Sequence, residues 1–372
     1  MLAEPSDHDT FSSEGGATST DPSLPGVRHP KLYFEDGDIV LSSDSADQVT
    51  TFYRVDKIYL SRQSIVFQEM LGVPMSVSPG EMYDGVAWVR MPDPTDELEK
   101  LLLALYNVAS LDLKRRHPNT PIELSGVMKL AKKYEVMPIR TLIRQHLEGD
   151  WPQNVEEWDD FQGDMHKAID QHIKSAPKYQ YGGRYIDERF PEAGSTIRFA
   201  LDHNCPTLLR AASLVLLSAS PKAEWDTVRR TGYDMQYEPL SSQRTIHFPA
   251  VRWHLLGDNG QAALKRGKEA FDKVLKEMED PSKNVPALTG MYSCRQCITN
   301  LDAWREKNMT LNTREMQSHD PILLLKRLLA AGRPDAICGP CWERAEKAAR
   351  DTRTKLWDEI PTVFGWFDMM SA

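Results

Sequence analysis

The sequence lacks the long apolar runs and the positive charge that mark two large classes of protein. No apolar run reaches the roughly 18 to 20 residues that a membrane-spanning helix requires. The longest apolar-rich segment, residues 208 to 219, is interrupted by Arg210 and two serines. Lysine and arginine total 45 against 54 acidic residues, a formal net charge of −9. These absences argue against a membrane protein and against non-specific binding to nucleic acid or to an anionic membrane.

The N-terminal residues lack the apolar core of a secretory signal peptide. The chain opens MLAEPSDHDTFSSEGG, with acidic residues close to its start. We therefore expect no secretion, a location in the cytoplasm, the nucleus or both, and thiols that meet a reducing compartment. Disulfide bonds are then disfavoured for the 5 cysteines of the chain.

Motifs of common active sites are missing as well. There is no HExxH metalloprotease motif, no GxGxxG dinucleotide fingerprint and no phosphate-binding loop of the GxxxxGKS or GxxxxGKT form. The histidines are scattered, and none stands in the context of a recognisable nucleophile. We therefore expect a protein that is not an enzyme.

The composition that remains is that of an ordinary globular protein, with 41% hydrophobic and 27% charged residues. A length of 372 residues suffices for two or three domains, each with a core of its own. Residues 1 to 28 differ, because they are rich in Ser, Thr, Gly, Pro and Asp and contain few residues able to fill a core. We predict a disordered tail there.

The hydrophobic pattern of residues 29 to 148 predicts a small α+β domain, with a sheet capped by helices. Two short strand-like segments on either side of a polar loop predict a β-hairpin over residues 38 to 55, and the segment VAWVRM predicts a third strand over residues 86 to 91. Between them lie two short helices, the second of them capped by Ser64. Three apolar stripes at helical spacing follow and predict three more helices. The stripes begin at Leu98, Val127 and Leu142.

The rest of the chain is predicted to be mainly α-helical. One helical region extends over residues 153 to 250, and it begins with the acidic segment EEWDDFQGD. A second extends over residues 258 to 372. In this region Asp320 and Pro321 have the pattern of a helix cap and a first helical residue, and Gly332 that of a C-terminal cap.

An internal repeat connects the first helical region to the preceding domain. LAKKYEVMPIRTLI, residues 130 to 143, resembles FALDHNCPTLLRAA, residues 199 to 212, with one residue of slippage. In each copy a proline opens the second helix. Cys205 takes the place of Val136 in the earlier copy, so we predict a buried structural thiol at this position.

Taken in order, the elements of residues 29 to 148 resemble a BTB/POZ domain. The resemblance covers roughly a third of the chain and depends on a set of motifs in a fixed order. These are Asp38, Val55-x-Lys57, Leu60-Ser61-x-x-Ser64-x-x-Phe67-x-x-Met70-Leu71, Pro92-Asp93, Leu105-Tyr106 and Leu130-Ala131-x-x-Tyr134. The helical extension with its C-terminal CxxC pairs is similar to a large set of fungal BTB proteins.

The resemblance implies a protein-interaction module. Such a module associates with itself as a homodimer, or it acts as an adaptor that binds a cullin-type ubiquitin ligase scaffold while another region holds a client protein. The alternative is a nuclear transcriptional regulator whose C-terminal zinc-binding region contacts nucleic acid. The acidic net charge argues against that alternative.

One position departs from the family pattern. Asp56 stands where the family usually has histidine before the lysine. Asp38 and Asp56 are therefore expected close to each other, and two close carboxylates repel unless a cation or a proton intervenes. Lys57 or Arg54 could compensate this repulsion.

Four cysteines form two CxxC pairs in the last fifth of the chain, and they are Cys294, Cys297, Cys338 and Cys341. Each CxxC turn directs two sulfurs at one ion, so the pairs predict one structural zinc ion bound by four thiolates. Such a site contributes roughly 10 kcal/mol or more to local folding. The 40 residues between the pairs exceed the usual spacer, so they are expected to form a folded helical excursion.

Two other uses of these cysteines remain open, namely unliganded thiols that line a helical core and a redox pair. The dipeptide within CGPC also occurs in thioredoxin, but no strand pattern leads into Cys338 and only 31 residues follow Cys341. We therefore exclude a thioredoxin fold. The basic residues of the final helix alternate with acidic ones, which indicates a solvated face rather than a nucleic-acid contact.

Overall fold

The computed structural model describes residues 26–72, 82–175, 186–227, 249–279 and 319–370, together with residues 294, 296, 297, 299, 300 and 303. The architecture is mixed α+β, with a small sheet and a larger number of helices. The chain divides into two compact units, Met1–Tyr106 and Asn107–Ala372. The predicted α+β class is confirmed, whereas most of the predicted tail lies outside the described residues.

A five-stranded mixed sheet forms the centre of the first unit, with the strand order β1-β3-β2-β5-β4. Strands β2 and β3 form an antiparallel hairpin, β1 pairs parallel with β3, β5 pairs parallel with β2, and β4 pairs antiparallel with β5. The strands are β1 Gly26–Tyr33, β2 Ile39–Asp44, β3 Thr50–Val55, β4 Met82–Tyr83 and β5 Val86–Arg90. The predicted hairpin and third strand are confirmed.

Strand β1 was not predicted from the sequence. Its first three residues, Gly26 to Arg28, were assigned to the end of the tail, yet they pair with Thr50 to Phe52 of β3. The strand has a weak sequence signal because only His29 and Leu32 are buried within it and a proline lies between them. Period-two alternation is therefore absent, and the partner strand supplies the order.

Three helices complete this unit: α1 Lys57–Gln63, α2 Ile65–Gly72 and α3 Thr95–Tyr106. Ser64 ends α1 and caps α2, because its Oγ accepts a hydrogen bond from the amide of Phe67 at 2.9 Å, as the pattern predicted. The stripe residues Phe67 and Leu102 are completely buried. Helical spacing therefore identified the core of this unit correctly.

The two neighbouring carboxylates of the first unit each accept a hydrogen bond of their own. Asp38 Oδ1 accepts from the amide of Lys57 at 2.7 Å, and Asp56 Oδ2 accepts from the phenol of Tyr106 at 2.9 Å. Arg54 donates from Nε to the carbonyl of Gly37 at 2.8 Å. An amide and a phenol thus stabilise the two acids, where the sequence had suggested a lysine ammonium or an arginine.

The second unit is helical. Its α-helices are α4 Thr120–Lys133, α5 Met137–Asp150, α6 Val155–Ser175, α7 Ala193–His203, α8 Leu209–Ser218, α9 Trp253–Glu279, α10 Pro321–Ala330, α11 Gly339–Val363 and α12 Trp366–Met370. Short 3₁₀ helices lie at Val108–Leu111, Ile186–Arg189 and Pro206–Leu208. Helices α4 and α5 belong to this unit, although the sequence had grouped them with the sheet. They pack against each other, and α4 also packs against α7.

The C-terminal helices begin and end at the signals that the sequence carries. Asp320 Oδ1 accepts hydrogen bonds from the amides of Ile322 and Leu323 at 2.9 and 3.0 Å, which caps α10. Gly332 follows the helix with a φ of 72°, in the left-handed region that favours glycine. Beyond α11, the indole of Trp366 donates to Ser213 Oγ of α8 at 2.8 Å.

The internal repeat is a structural repeat, formed by α4 and α5 and again by α7 and α8. Glu135 and Asn204 follow the first helix of each pair with left-handed φ values of 52° and 56°. The next amide in each copy donates to the carbonyl five residues upstream, at 2.8 Å for Val136 and 2.9 Å for Cys205. Both of these side chains are buried. The predicted equivalence of the two segments and the buried thiol at Cys205 are confirmed.

His203 joins the two copies of the repeat. Its Nε2 lies 3.0 Å from Ser125 Oγ of α4, and its ring lies 4.5 Å from that of Phe199. Burial lowers the pKa of His203 to about 4, because the charged imidazolium loses its hydration. The neutral ring is therefore the form that fits between α4 and α7.

This burial predicts acid sensitivity. The unfolded chain takes up a proton on His203 near pH 6.5, while the folded chain does so only near pH 4, so stability is full above pH 6.5 and is lost as the pH falls toward 4. Between pH 7 and pH 5 we expect His203 to account for a loss of about 2 kcal/mol. Urea unfolding of the wild type and of His203→Gln at pH 7 and pH 5 measures it. Parallel losses in the two proteins would contradict this assignment.

Candidate metal centre and interaction surface

The structure brings the predicted cysteines together. The sulfurs of Cys297, Cys338 and Cys341 lie within 4.8 Å of one another, close enough to bind one metal ion. The sulfurs of Cys297 and Cys338 are 3.6 Å apart. Cys294, the fourth predicted ligand, packs against the same small cluster, but its sulfur is not among the three that lie within 4.8 Å of one another. The structure therefore brings three predicted ligands together and the fourth close by, although about 40 residues separate the two pairs in sequence.

Local backbone geometry holds each CxxC pair. In the first pair, the amide of Cys297 donates to the carbonyl of Cys294 at 3.1 Å. In the second pair, Cys338 immediately precedes helix α11, and Cys341 lies in the first turn of that helix. The amide of Cys338 also donates to the sulfur of Cys297 at 3.4 Å, which connects the two pairs.

Backbone amides favour the thiolate form at the first cysteine of each pair. The amide of Cys297 lowers the pKa of the Cys294 thiol, and the amide of Cys341 lowers the pKa of the Cys338 thiol. Burial raises the pKa of Cys341. One sulfur of each pair is thus prepared to carry negative charge, while Cys341 needs a nearby cation before it loses its proton.

The cysteines are free thiols, and only Cys338 among them is exposed. Cys205 lies outside the cluster, and its thiol donates to the carbonyl of His203 at 3.6 Å. A cluster of three to four sulfurs in apolar surroundings can hold a metal ion or can remain as buried thiols. In the second case the thiols would line a helical core without a ligand, which is one of the alternatives named above.

Helix α11 carries several of its basic residues in ion pairs with acids one turn away. Lys347 pairs with Asp351 at 2.7 Å, and Arg350 pairs with Glu346, also at 2.7 Å. These i, i+4 pairs lie on an exposed face and match the solvated face that the alternating charges predicted. Arg353 is an exception, because it is buried and pairs with Asp159 of α6 at 2.6 Å.

The outer surface of helices α1 and α2, here called the α1–α2 surface, exposes two large aliphatic side chains. Ile58 is 63% exposed and Ile65 is 52% exposed. Next to Ile58, Tyr59 stacks on Tyr106 at 4.6 Å between ring centroids and donates to the carbonyl of Leu105 at 3.0 Å. Tyr59 therefore anchors α1 to α3, while Ile58 and Ile65 are left exposed.

A buried ion pair in the second unit had no signal in the sequence. Glu192 caps α7, and its oxygens accept from the amides of Gly194 and Ser195 at 2.7 Å each. Arg252 lies 3.4 Å from Glu192, donates to the carbonyl of Pro118 at 3.1 Å and also bonds Asn119. Sixty residues separate the pair, so neither spacing nor periodicity could have revealed it.

Comparison with known proteins does not assign this chain to a family. No protein-family model matches the chain, and neither the curated proteins nor the solved structures include a match. Within the described ranges, none of the helices combines the length and the apolar character needed to span a bilayer.

Proposed function

We propose that this chain is a non-enzymatic interaction adaptor of the BTB/POZ kind. The observation that carries the proposal is the chain path of the first unit: a hairpin, β2 and β3, leads to the helix pair α1 and α2, and β5 then returns parallel to β2 before α3. This is the order that the BTB/POZ resemblance implies. The motifs Leu60 to Leu71 lie on the helix pair.

The partner in this proposal is another polypeptide, bound through the α1–α2 surface. Apolar side chains on a rigid support give affinity at low entropic cost, because little conformational freedom is lost on binding. Ile58 and Ile65 meet that description. The partner is either a second copy of the chain or a cullin-type scaffold, and the helical second unit is then available to hold a client.

The proposal includes one structural zinc ion in the second unit. Four thiolates form a closed tetrahedral set that leaves no position for water or substrate, which is the ligand set of structural zinc sites. Soft sulfur donors also disfavour magnesium and calcium. Cys294, Cys297, Cys338 and Cys341 would bind the ion, and its role would be to hold the start of α11.

The interaction proposal predicts that charge on the α1–α2 surface abolishes binding. In the full chain, Ile58→Asp combined with Ile65→Asp is expected to weaken association by tenfold or more, because a desolvated carboxylate costs at least about 1.4 kcal/mol. Light scattering after gel filtration measures self-association. Biolayer interferometry against the N-terminal domain of a recombinant cullin measures scaffold binding.

Val49→Asp is the matched control, because Val49 lies in the same unit, in the β2–β3 turn, and is 45% exposed. This variant should bind as the wild type does. A wild-type chain that stays monomeric at all concentrations and does not bind the cullin domain would refute the proposal. If the double variant binds as well as the wild type, the α1–α2 surface is not the binding site.

A further inference from the structure

A second group of metal-binding side chains lies far from the cysteines in sequence, on the surface of the helical unit. The ligating atoms of Glu224, Asp226 and His254 all lie within 4.8 Å of one another. His254 Nδ1 is 2.8 Å from Glu224 Oε1 and 3.9 Å from Asp226 Oδ2. One imidazole nitrogen thus faces two carboxylates at distances that ligands of a single ion have.

Backbone hydrogen bonds bring the two segments that carry these side chains together. Residues 223 to 225 run beside Val251, whose amide donates to the carbonyl of Ala223 and whose carbonyl accepts from the amide of Trp225, both at 3.0 Å. Ala223 and Trp225 are buried, so Glu224 between them and Asp226 after them face outward. His254 is the second residue of α9, and its neighbour Trp253 is anchored by an indole hydrogen bond to Ser220 at 3.1 Å.

Two carboxylates of this group face one imidazole. Among the described residues, the ion pairs of Glu224 and Asp226 both lead to His254. A purely structural role accounts for Glu224, because its Oε2 also accepts from the amide of His254 at 3.3 Å and so caps α9. It does not account for Asp226, whose carboxylate lies beside another carboxylate. A divalent cation would balance both acids and leave the imidazole neutral.

We propose that Glu224, Asp226 and His254 bind a divalent transition-metal ion of the zinc class. One imidazole nitrogen with two carboxylate oxygens suits zinc, cobalt, nickel or manganese, whereas sites for calcium and magnesium use oxygen donors throughout. Three protein ligands leave at least one coordination position open. The site therefore differs in kind from a closed four-thiolate site.

One of the three ligands, Asp226, also borders a cleft of about 460 Å³. Asp226 lines this cleft together with His117, Glu188 and Arg252. An ion held by Asp226 would lie at the edge of the cleft, with its open position available to water or to a small anionic ligand. The chemistry of the site is thus that of a surface Lewis acid beside a polar cavity.

Titration of the full chain with Zn²⁺ and Co²⁺ tests the site. The protein is first saturated with zinc at its cysteines, so that only the new site remains. Calorimetry should then find one further equivalent of Zn²⁺. Co²⁺ should give weak visible bands without the intense near-ultraviolet sulfur-to-cobalt absorption that thiolate ligands produce. Asp226→Asn and His254→Gln should each weaken binding about tenfold or more.

Asp258→Asn is the control for general electrostatic attraction, because Asp258 is an exposed acid four residues after His254, just beyond the break in α9 at Gly257. It should leave the affinity unchanged. Asp226 takes no part in the helix cap, so the melting temperature of Asp226→Asn without added metal should equal that of the wild type, which excludes misfolding as the cause. Absence of a further equivalent of Zn²⁺ up to millimolar concentration, or equal weakening by Asp226→Asn and Asp258→Asn, would overturn the proposal.

Discussion

Replacing Cys341 by serine is expected to remove zinc from the protein and to lower the melting temperature of the helical unit by more than about 10 °C. A structural zinc site contributes roughly 10 kcal/mol to folding, and each kcal/mol corresponds to about 2 to 4 °C in a unit of this size. Cys341 is buried in the first turn of α11, so the hydroxyl of a serine at this position would also be an unsatisfied polar group in an apolar cluster.

Elemental analysis of freshly purified protein and a thermal scan measure the two effects. A strong chelator added to the wild type should reproduce the thermal loss. Cys205→Ala is the matched control, because Cys205 is equally buried but lies outside the cluster. It should retain its zinc and lose only the modest stability of a small core truncation. Wild-type protein that contains no zinc would remove the metal from the proposal and leave buried thiols.

The second large effect is expected at the buried ion pair. Arg252→Met should destabilise the helical unit by about 3 to 5 kcal/mol, because it leaves the carboxylate of Glu192 buried without its cation. The methionine keeps most of the apolar volume of arginine. The loss of stability therefore comes from the missing charge and not from a cavity. The guanidinium also lies 4.7 Å over the ring of Trp225, which adds a cation–π contact to what is lost.

Chemical denaturation of the single variants and of Arg252→Met with Glu192→Gln measures the coupling between the two groups. The double variant should be less destabilised than the sum of the single ones, since a neutral amide removes the uncompensated charge. Arg198→Met is the control, because Arg198 pairs with Asp202 on an exposed helix face and should cost less than about 1 kcal/mol. Equal losses at Arg198 and Arg252 would show that the burial of the pair is energetically irrelevant.

The elements that sequence reasoning found are those whose signals are local. Ser64 is recognised as a cap because its partner, the amide of Phe67, lies three residues away. The equivalence of Val136 and Cys205 follows from the same order of alanine, aromatic or histidine, and proline in both copies of the repeat. Each CxxC turn is likewise visible because its two cysteines are three residues apart.

The features that sequence reasoning missed depend on residues far apart in the chain. Strand β1 is ordered by pairing with β3, more than twenty residues later, and its own pattern is weak. Glu192 and Arg252 meet because α7 and the start of α9 pack together. His254 stood among scattered histidines in the sequence, and only the bridge between Glu224 and Val251 brings it to two carboxylates.

Helix α11 connects the cysteine cluster to the middle of the helical unit. The helix starts beside Cys338, extends for 25 residues, or about 37 Å, and ends where Phe364 stacks on Trp366, the residue that is bonded to α8. In the second half of the helix, Arg353 donates to the carbonyl of Ile322 in α10 and pairs with Asp159 of α6 at 2.6 Å. A metal ion that holds the first turn of α11 would therefore also favour the contacts that the rest of the helix makes with α6, α8 and α10.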